Sequence, residues 1–244
     1  MEVKNIILFV IIIVLLILVI RYIMQDVNTL TGLIPAQTMI TIQPSNLASS
    51  ANYGNTSNYT YSIWFFVEDW NYRYGEPKVI FGRMTTGTGQ KEPCPSVTLG
   101  PIQNNIIVSL AVYPGIDEVP ENGTNYIVHS CGISNVPIQR WCNFFMSVYG
   151  RTLDLYLDGK LVRTCVLPGV AKIDSSAPLY ITPMGGFSGW TSRFQYWPES
   201  SNPQQAWNVY KAGYGGSLLG SLFGKYTVKV SLMTNDAENS SVTF

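Results

Sequence analysis

The segment "WCNFFMSVYGRTLDLYLDGKLVRTCVL", residues 141–167, constrains the fold more than any other part of the sequence. Within it the letters TLDLYLD alternate polar and apolar residues, which is the pattern of a β-strand with one face on a core and the other in water. Asp158-Gly159 then supplies the two positive-φ positions of a type I′ turn, so the next run folds back antiparallel. A second tight turn at Gly150-Arg151 completes a predicted three-strand meander.

Similar short runs recur along the whole chain. They cover residues 38–42, 59–67, 78–81, 97–99, 106–112, 126–129, 141–149, 153–157, 161–166, 179–182, 193–197 and 226–232. The sequence contains 15 Tyr, 10 Phe, 6 Trp and 21 Gly, whereas only 12% of its residues are charged. Many short aromatic strands between Gly and Pro turns are typical of an all-β sandwich or jelly roll, and not of a helical bundle.

One short helix is predicted late in the chain, in "SNPQQAWNVYKAGYGG". Asn202 is a favourable N-cap, and Pro203 fits the first helical position. Gly213 can adopt the left-handed conformation that ends a helix. We expect this surface helix to cover one end of the sandwich.

The N-terminal region contains an uninterrupted apolar run from Ile6 to Ile20. As a helix this run spans about 22 Å, which is shorter than the roughly 30 Å hydrocarbon core of a bilayer. Lys4 and Arg21 flank the run, and their aliphatic stems can place both charges at the interfaces, which extends the effective span to about 30 Å. We therefore predict a transmembrane anchor over residues 1–25, a linker over 26–37 and a β-sandwich with a strand-rich tail over 38–244.

A cleaved signal peptide is the alternative for this region, because a basic start and an apolar stretch also describe a secretory signal. The residues that follow the run, RYIMQD, contain no small-residue cleavage site of the A-x-A kind. A retained anchor is therefore favoured. The side of the membrane stays open, since Lys4 and Arg21 place positive charge at both ends.

Three further segments occur in order along residues 59–215: "YTYSIWFFV", "LDLYLDGKLV" and "RFQYWPESSNPQQAWNVYKAGYG". Together they resemble the concanavalin A-like lectin/glucanase, or laminin-G-like, jelly roll. In that family an early aromatic strand lies in the core, a central hairpin carries an Asp-Gly turn, and the last strand leads into a short helix that ends in Gly. With its anchor and tail, the chain is also similar to virion and minor capsid proteins of large nucleocytoplasmic DNA viruses.

The resemblance implies two functions. The first hypothesis is a non-enzymatic, membrane-anchored structural or interaction protein, such as a minor capsid or virion-membrane component that links a bilayer to a protein shell. Its location would then be single-pass in a membrane, at the interface between the inner membrane and the capsid of a virion. Its partners would be the bilayer and neighbouring capsid or membrane proteins. The alternative is a carbohydrate-binding lectin displayed on a membrane, with glycans as partners.

Several kinds of chemistry are disfavoured by the sequence. Retaining glycosidases of this superfamily need two carboxylates about 5 Å apart, and their E-x-D-x-x-E strand pattern does not occur. Cys94, Cys131, Cys142 and Cys165 include no C-x-x-C pair, so no metal site is predicted. The single histidine, His129, lies on a predicted strand, which favours a structural role. No cofactor is predicted. Nucleic acid is an unexpected partner, because the 15 basic residues are balanced by 15 acidic ones and form no run.

The candidate contact residues are aromatic. Trp70, Tyr72 and Tyr74 lie in "EDWNYRYGEP", and Trp190 follows the glycine-rich "GGFSG". Exposed rings at a strand end or in a loop can stack on sugar rings or anchor a neighbouring protein. Packing within the loop or the core is the alternative for the first three residues, and simple turn formation is the alternative for the glycine-rich segment.

The predicted registers also bear on disulfides. Counting outward from the two turns places Cys165 opposite Thr152 on the outer face of the sheet, whereas Cys142 lies on the inner face. The two sulfurs would be about 23 Å apart along the strands, and a disulfide needs Cα atoms about 4.4–6.8 Å apart. We therefore predict no bond between Cys142 and Cys165. Any disulfides pair Cys94 and Cys131 with these two residues, or do not exist.

Overall fold

The computed structural model describes residues 28–47, 57–84, 92–116, 119–120 and 124–215, together with positions 12, 15 and 16 and the backbone of 229–234 and 237–243. Two six-stranded antiparallel sheets pack face to face around one core. One short α-helix lies outside them. The predicted all-β sandwich with a short surface helix is confirmed at this level.

The strands of the sandwich are short, and most are joined by tight turns or loops. They are β1 (Ile34–Pro35), β2 (Ile40–Ile42), β3 (Tyr59–Asp69), β4 (Lys78–Arg83), β5 (Ser96–Leu99), β6 (Ile106–Val112), β7 (Ile127–Ile133), β8 (Trp141–Tyr149), β9 (Thr152–Leu157), β10 (Lys160–Val166), β11 (Leu179–Ile181) and β12 (Ser188–Trp197). A 3₁₀ helix covers Pro44–Leu47, helix α1 covers Pro203–Ala212, and β13 (Lys229–Thr234) pairs with β14 (Ala237–Thr243) as a separate hairpin. Sheet 1 has the order β1-β12-β3-β8-β9-β10, and sheet 2 has the order β2-β11-β4-β5-β6-β7.

Alternation along the strands sends one set of side chains between the two sheets. On β3, Tyr61, Ile63 and Phe65 face sheet 2 and are fully buried. The Tyr61 ring lies 5.6 Å from Phe81 of sheet 2, and Phe81 meets the edge of Phe194 at 5.1 Å. Full burial of a large apolar side chain contributes roughly 1.5–3 kcal/mol. The aromatic strands recognised in the sequence therefore supply much of the core.

The 141–167 meander forms one edge of sheet 1. The register of β8 with β9 is as predicted, with Val148 opposite Leu153 and Met146 opposite Leu155. The tight turn between these strands fixes that register, because a two-residue loop leaves little freedom for a slip.

The register of β10 differs from the prediction. A bulge between Leu161 and Arg163 inserts one extra residue, so Cys165 lies opposite Leu153 and not opposite Thr152. Because side chains alternate with a period of two, one extra residue reverses which face each later side chain takes. Cys165 therefore packs against the core, which corrects its predicted place on the outer face.

Because its side chain points inward, Cys165 reaches Cys131 on β7. The two residues form a disulfide between sheet 1 and sheet 2. Cys94 and Cys142 are buried thiols. The prediction that Cys142 and Cys165 are not bonded to each other is confirmed, and one of the expected pairings occurs. In the loop-entropy picture a disulfide that spans 34 residues stabilises the fold by roughly 3–4 kcal/mol.

Helix α1 begins and ends as predicted but lies in a different place. The Asn202 side chain accepts a hydrogen bond from the backbone of Gln205 at 2.9 Å, and Gly213 ends the helix with φ 74°. The helix does not cover an end of the sandwich. It lies on the outer face of sheet 1, because that face carries large apolar side chains that need cover. The small second core beneath it consists of Ala206, Val209, Phe145, Tyr156 and Trp197.

Residues 28–36 run antiparallel along β12. Leu30 N donates to Phe194 O at 2.8 Å, and Ala36 N donates to Gly189 O at 2.9 Å. The structure thus places most of the expected linker, 26–37, within sheet 1. The chain enters beside the Trp197 end of β12 and reaches the opposite end of the sandwich by Ala36.

Within the expected membrane anchor, the structure describes three positions. Ile12, Leu15 and Leu16 are helical and more than half exposed. Among the positions that the structure describes, no helix combines the length and apolar character needed to cross a bilayer. The residues that define the predicted anchor lie outside the described positions; they are Lys4, Ile6, Ile20 and Arg21. The anchor therefore stays a prediction from the sequence.

Candidate functional site

A row of four aromatic side chains and one proline crosses the outer face of sheet 1. Pro35, Trp190, Phe66 and Trp141 lie directly opposite one another on β1, β12, β3 and β8. Directly opposite residues project to the same face of a sheet, and the residues before and after Phe66 face the core. Tyr214, which follows α1, lies beside this line, and its ring stacks on Trp141. We call these five residues the aromatic row.

The aromatic row is more exposed on β1 and β12 than on β3 and β8. Trp190 is 41% exposed, Pro35 is exposed, and the other three members are half-buried. The rings of Phe66 and Trp141 have centroids 5.8 Å apart and planes inclined by 52°. Tyr214 lies almost parallel to Trp141, with centroids 4.6 Å apart and an angle of 8°. The row is therefore most accessible at Pro35 and Trp190, and the stacked pair of Trp141 and Tyr214 is its more covered part.

A bulge in β12 holds Tyr214 in this position. The pairing of β12 with β3 shifts between Ser192 and Gln195, and Arg193 takes a left-handed backbone with φ 49°. Ser192 Oγ donates to Tyr214 O at 2.9 Å, and Arg193 Nη1 donates to Gly213 O at 3.2 Å. A left-handed non-glycine residue costs on the order of 1–3 kcal/mol. The two hydrogen bonds offset part of this cost and fasten the end of α1 to the sheet.

A second aromatic layer supports the row from α1. Trp64 lies two residues before Phe66 on the same face; it is buried, and it stacks on Tyr210 at 5.7 Å and 17°. Its ring also meets the edge of Tyr214 at 6.1 Å. Gly159 in the β9–β10 turn packs closely on the helix, since a Cβ at this position would come within 2.9 Å of Tyr210 Cβ. Helix α1 therefore packs tightly on the sheet beside the row.

Charged groups lie beside Trp141 and Phe66. Arg140 precedes Trp141 and forms an ion pair with Asp158, whose other oxygen accepts from Asn143 N at 2.9 Å. The Arg140 side chain is 54% exposed. Glu68, two residues beyond Phe66 on β3, is also exposed. Aromatic side chains and exposed charged groups therefore lie next to each other on this face of sheet 1.

The β3–β4 loop, residues 70–77, contains the other predicted contact residues, and we call it the tip loop. Trp70 is half-buried and donates from Nε1 to Ile102 O at 3.1 Å. Tyr72 donates from its hydroxyl to Gly185 O at 3.1 Å. Tyr74 is 58% exposed. Two of the three rings are therefore used to join the tip loop to neighbouring loops.

Arg73 makes further contacts between the tip loop and the β11–β12 loop. Its guanidinium donates to Met184 O and, at 3.4 Å, to Gly186 O. The same group forms an ion pair with Glu76 at 2.7 Å. Gly75 N completes the set by donating to a backbone carbonyl of the β5–β6 loop at 3.0 Å. Three loops are thereby joined through hydrogen bonds into one unit.

Lys78 is buried beneath the tip loop. Its side chain is 1% exposed, and the ammonium nitrogen lies 4.9 Å from the centroid of the Trp70 ring. Within the described part of the chain, this nitrogen has no hydrogen-bond partner. Burial lowers the pKa of the Lys78 ammonium, the Arg73 guanidinium lowers it further, and the carboxylates of Glu76 and Asp69 act in the opposite direction. The tip loop is thus a packed unit over a buried cation.

The structure separates the four predicted contact residues into two groups. Trp190 belongs to the aromatic row, whereas the three aromatics of the tip loop lie beyond the end of β3. Sequence reasoning missed Phe66 and Trp141. The available signal was the run of aromatic residues on both faces of β3, which indicates that its outer face is also apolar.

No protein-family model matches the sequence, and a search of curated protein sequences finds no match. Solved structures with a similar fold include the receptor-binding domain of botulinum neurotoxin D, with TM-score 0.54 and 12% identity over 75% of this chain and 44% of that chain. Another is the ligand-binding domain of serotype D in complex with N-acetylneuraminic acid, with TM-score 0.52 and 13% identity over 76% and 43%. A third is the receptor-binding domain of the C/D mosaic serotype, with TM-score 0.52 and 14% identity over 76% and 43%. The match spans less than half of each of those chains. Such similarities show a shared β-sandwich fold alone.

Proposed function

We propose that this chain is a membrane-displayed, non-enzymatic carbohydrate-binding protein with a concanavalin A-like sandwich as its scaffold. The aromatic row is the observation that carries the proposal. The C–H face of a pyranose ring is apolar, and it stacks on the electron-rich face of an aromatic ring. Trp190 and Phe66 lie directly opposite each other on neighbouring strands, and Arg140 and Glu68 supply hydrogen-bonding groups for hydroxyls next to them.

The path of the chain supports the proposal that a membrane-anchored domain displays the aromatic row away from the bilayer. Asn28 lies beside Tyr196, at one end of sheet 1, because Tyr196 N donates to Asn28 O. Pro35 and Trp190 lie at the other end of the same strand pair. At about 3.3 Å per residue these ends are roughly 23 Å apart. An anchor before Asn28 would therefore leave the aromatic row on the side of the domain that faces away from the bilayer.

One of the similar structures was solved with N-acetylneuraminic acid, and two are called receptor-binding domains. These descriptions concern those proteins, and less than half of each one is matched. They support the proposal at the level of the scaffold, because a sandwich of this shape occurs within a domain that was solved with a sugar bound.

The carboxylates on the meander support a binding role over hydrolysis. Asp154 accepts a hydrogen bond from Thr164 Oγ1 at 2.6 Å, and Asp158 is held by Arg140 and by Asn143 N. Both therefore have structural partners. The minor capsid or virion-membrane hypothesis rests on the sequence resemblance, and neither the described residues nor the similar structures add support to it.

A glycan array tests the proposal. The full-length chain, reconstituted in lipid nanodiscs, is compared with Trp190→Ala and with Trp207→Ala, and empty nanodiscs serve as the blank. Trp207 is a matched control because it is 39% exposed on α1 and lies outside the row. We expect wild type and Trp207→Ala to bind the same glycans and Trp190→Ala to lose at least tenfold in affinity. Absence of binding to every glycan, or equal binding by both variants, would refute the proposal.

A further inference from the structure

Strand β7 is an edge strand without the usual protection against pairing. It covers Ile127–Ile133 and lies at one edge of sheet 2. Its seven residues, IVHSCGI, include no Asp, Glu, Lys, Arg or Pro, and its register with β6 contains no bulge. Edge strands are usually kept from pairing with other chains by charges, proline, bulges or short length. By these criteria β7 is open to a further strand.

The other three edges of the two sheets carry such protection. β1 has two residues and includes Pro35, and β2 has three residues. β10 is as long as β7, but it contains Lys160 and Arg163, and its pairing has a bulge after Leu161. Among the edges of the two described sheets, β7 is therefore the one to which a regular strand can be added.

The register of β7 identifies the backbone groups on its free side. Ala111 of β6 makes its backbone hydrogen bonds on the side away from β7. It stands opposite Val128, and opposite pairs in an antiparallel ladder alternate between bonded and non-bonded. Val128 therefore points its N–H and C=O to the free side, and so do Ser130 and Gly132. The Gly132 carbonyl agrees with this assignment, because it accepts from Arg163 Nη1 at 2.9 Å.

Val128 and Ser130 have both of their backbone groups unpaired on this side. None of the backbone hydrogen bonds among the described residues uses these groups. Val128 is 51% exposed, and Ser130 is also exposed. Two donors and two acceptors in a row on exposed residues form a template for another strand.

We propose that β7 pairs with β7 of a second copy of this chain, antiparallel and about a two-fold axis. The proposal is independent of glycan binding. The free groups set Val128 opposite the partner's Ser130 and Ser130 opposite the partner's Val128. This pairing makes four backbone hydrogen bonds and leaves the bond between Arg163 and Gly132 in place. His129 then lies at the axis, opposite the partner's His129.

The composition of β7 favours a second copy as the occupant. A strand that pairs with itself brings its own residue types together, and like charges directly opposite each other are destabilising. β7 contains no Asp, Glu, Lys or Arg, whereas a self-paired β10 would bring two lysines and two arginines together. Closed two-fold dimers are also the commonest oligomers of soluble proteins.

The antiparallel pairing determines the directions of the two copies. The strands of two packed sheets run within about 30° of each other, so the axis sends the Asn28 ends of the two copies to opposite ends of the dimer. Anchors before Asn28 would then lie in two facing bilayers. Detergent micelles impose no such geometry on the anchors, so the pairing is tested in detergent.

Light scattering after size-exclusion chromatography of the full-length chain in detergent tests the proposal. We expect wild type to have the protein mass of two chains and Val128→Lys, which adds a charge on each side of the axis, the mass of one. Leu33→Lys is the matched control, because Leu33 is 61% exposed and lies before β1, at the far edge of sheet 1. It should keep the mass of two chains. A single-chain mass for wild type, or equal masses for the two variants, would overturn the proposal.

Ser130→Pro provides a second disruption of the same edge. The substitution removes an outward N–H and no bond to β6, and edge strands accept proline at such positions. We expect the mass of one chain and a melting temperature close to that of Leu33→Lys, which shows that the domain is folded. A folded Ser130→Pro variant with the mass of two chains would also overturn the pairing.

Cysteine cross-linking tests the register. His129→Cys places two thiols opposite each other at a non-bonded pair, where Cα atoms are about 4.5 Å apart, within the range of a disulfide. We expect a cross-linked dimer on a non-reducing gel after mild oxidation. Ser109→Cys is the control, since Ser109 lies on β6, and its two copies would be separated by three strand spacings, about 14 Å. Cross-linking of neither variant, or equal cross-linking of both, would show that β7 does not pair with itself in this way.

Discussion

The aromatic row and the tip loop lie next to each other at one end of the sandwich, and they use their rings in different ways. In the tip loop, Trp70 and Tyr72 donate hydrogen bonds to carbonyls of neighbouring loops, so their rings hold the backbone together. In the row, Trp190 and Phe66 project from strands whose backbone hydrogen bonds are already made within the sheet. Rings that are not needed to hold the fold are available to a ligand.

The largest effect on stability is expected at Trp70 in the tip loop. Trp70→Ala removes a half-buried ring, its hydrogen bond to Ile102 O and its contact with the Lys78 ammonium. We expect the free energy of unfolding to fall by about 2–3 kcal/mol, measured by denaturant titration, and glycan affinity to change less than threefold. A variant that keeps its stability and loses its ligand would show that the tip loop is the binding site.

The converse change is Trp190→Ala. Because this ring is 41% exposed, we expect the free energy of unfolding to change by less than about 1 kcal/mol. Glycan affinity should fall at least tenfold, which corresponds to about 1.4 kcal/mol. Parallel melting curves and titrations of wild type and variant measure both quantities. A large loss of stability with intact binding would mean that Trp190 serves the fold.

Tyr72→Phe sharpens the comparison by deleting one hydroxyl from the tip loop. The hydroxyl donates to Gly185 O, and its loss should lower the free energy of unfolding by about 1 kcal/mol. Tyr74→Phe is the matched control, since Tyr74 is mostly exposed and its variant should melt with wild type. Equal melting of all three proteins would show that the loop contacts contribute nothing measurable.

The smallest effect is expected at Lys78. Its pKa is lower in the folded protein than in the unfolded chain, so the unfolded chain binds more protons between the two values. The cost of burying the charge is fully present below the folded pKa, and stability rises as pH increases from there towards the usual lysine value near 10.4. Lys78→Met has no such dependence. We expect it to be slightly more stable at neutral pH, because loss of a cation–π contact worth roughly 0.5–1 kcal/mol offsets part of the gain.

The measurement for Lys78 is the difference in melting temperature between Lys78→Met and wild type from pH 7 to pH 10.5. The buried tyrosines are the same in both proteins, so their contribution to the pH dependence cancels in the difference. We expect the difference to shrink as pH rises. A difference that is constant over this range would show that the Lys78 ammonium is not perturbed by its surroundings.

The sequence was sufficient for features that depend on neighbouring residues. The β8–β9 register followed from a tight turn, and the start of α1 followed from Asn202, because both are determined within a few positions of the chain. The bulge in β10 could not be predicted in this way. It is coupled to the disulfide between Cys165 and Cys131 on the other sheet, and a contact between distant strands leaves no local pattern.

The aromatic row shows the same limit more clearly. Its members stand at positions 35, 66, 141, 190 and 214 and meet only through the strand order β1-β12-β3-β8 and the placement of α1 on sheet 1. Trp190 could be nominated from its type and its glycine-rich neighbours. Phe66 and Trp141 could not, because a strand with aromatic residues on both faces does not reveal which face is covered and which is open.

The antiparallel run of residues 28–36 along β12 also determines how the domain responds to force. Tension applied to the chain before Asn28 acts parallel to β12, and it loads the hydrogen bonds of Asn28, Leu30 and Ala36 at the same time. Bonds loaded together in shear must break together, whereas bonds at the end of a hairpin open one by one. A domain held by a membrane at its N-terminus and by a ligand at the aromatic row would be pulled from opposite ends of this strand pair. The N-terminal strand would then act as a mechanical clamp for an adhesive contact.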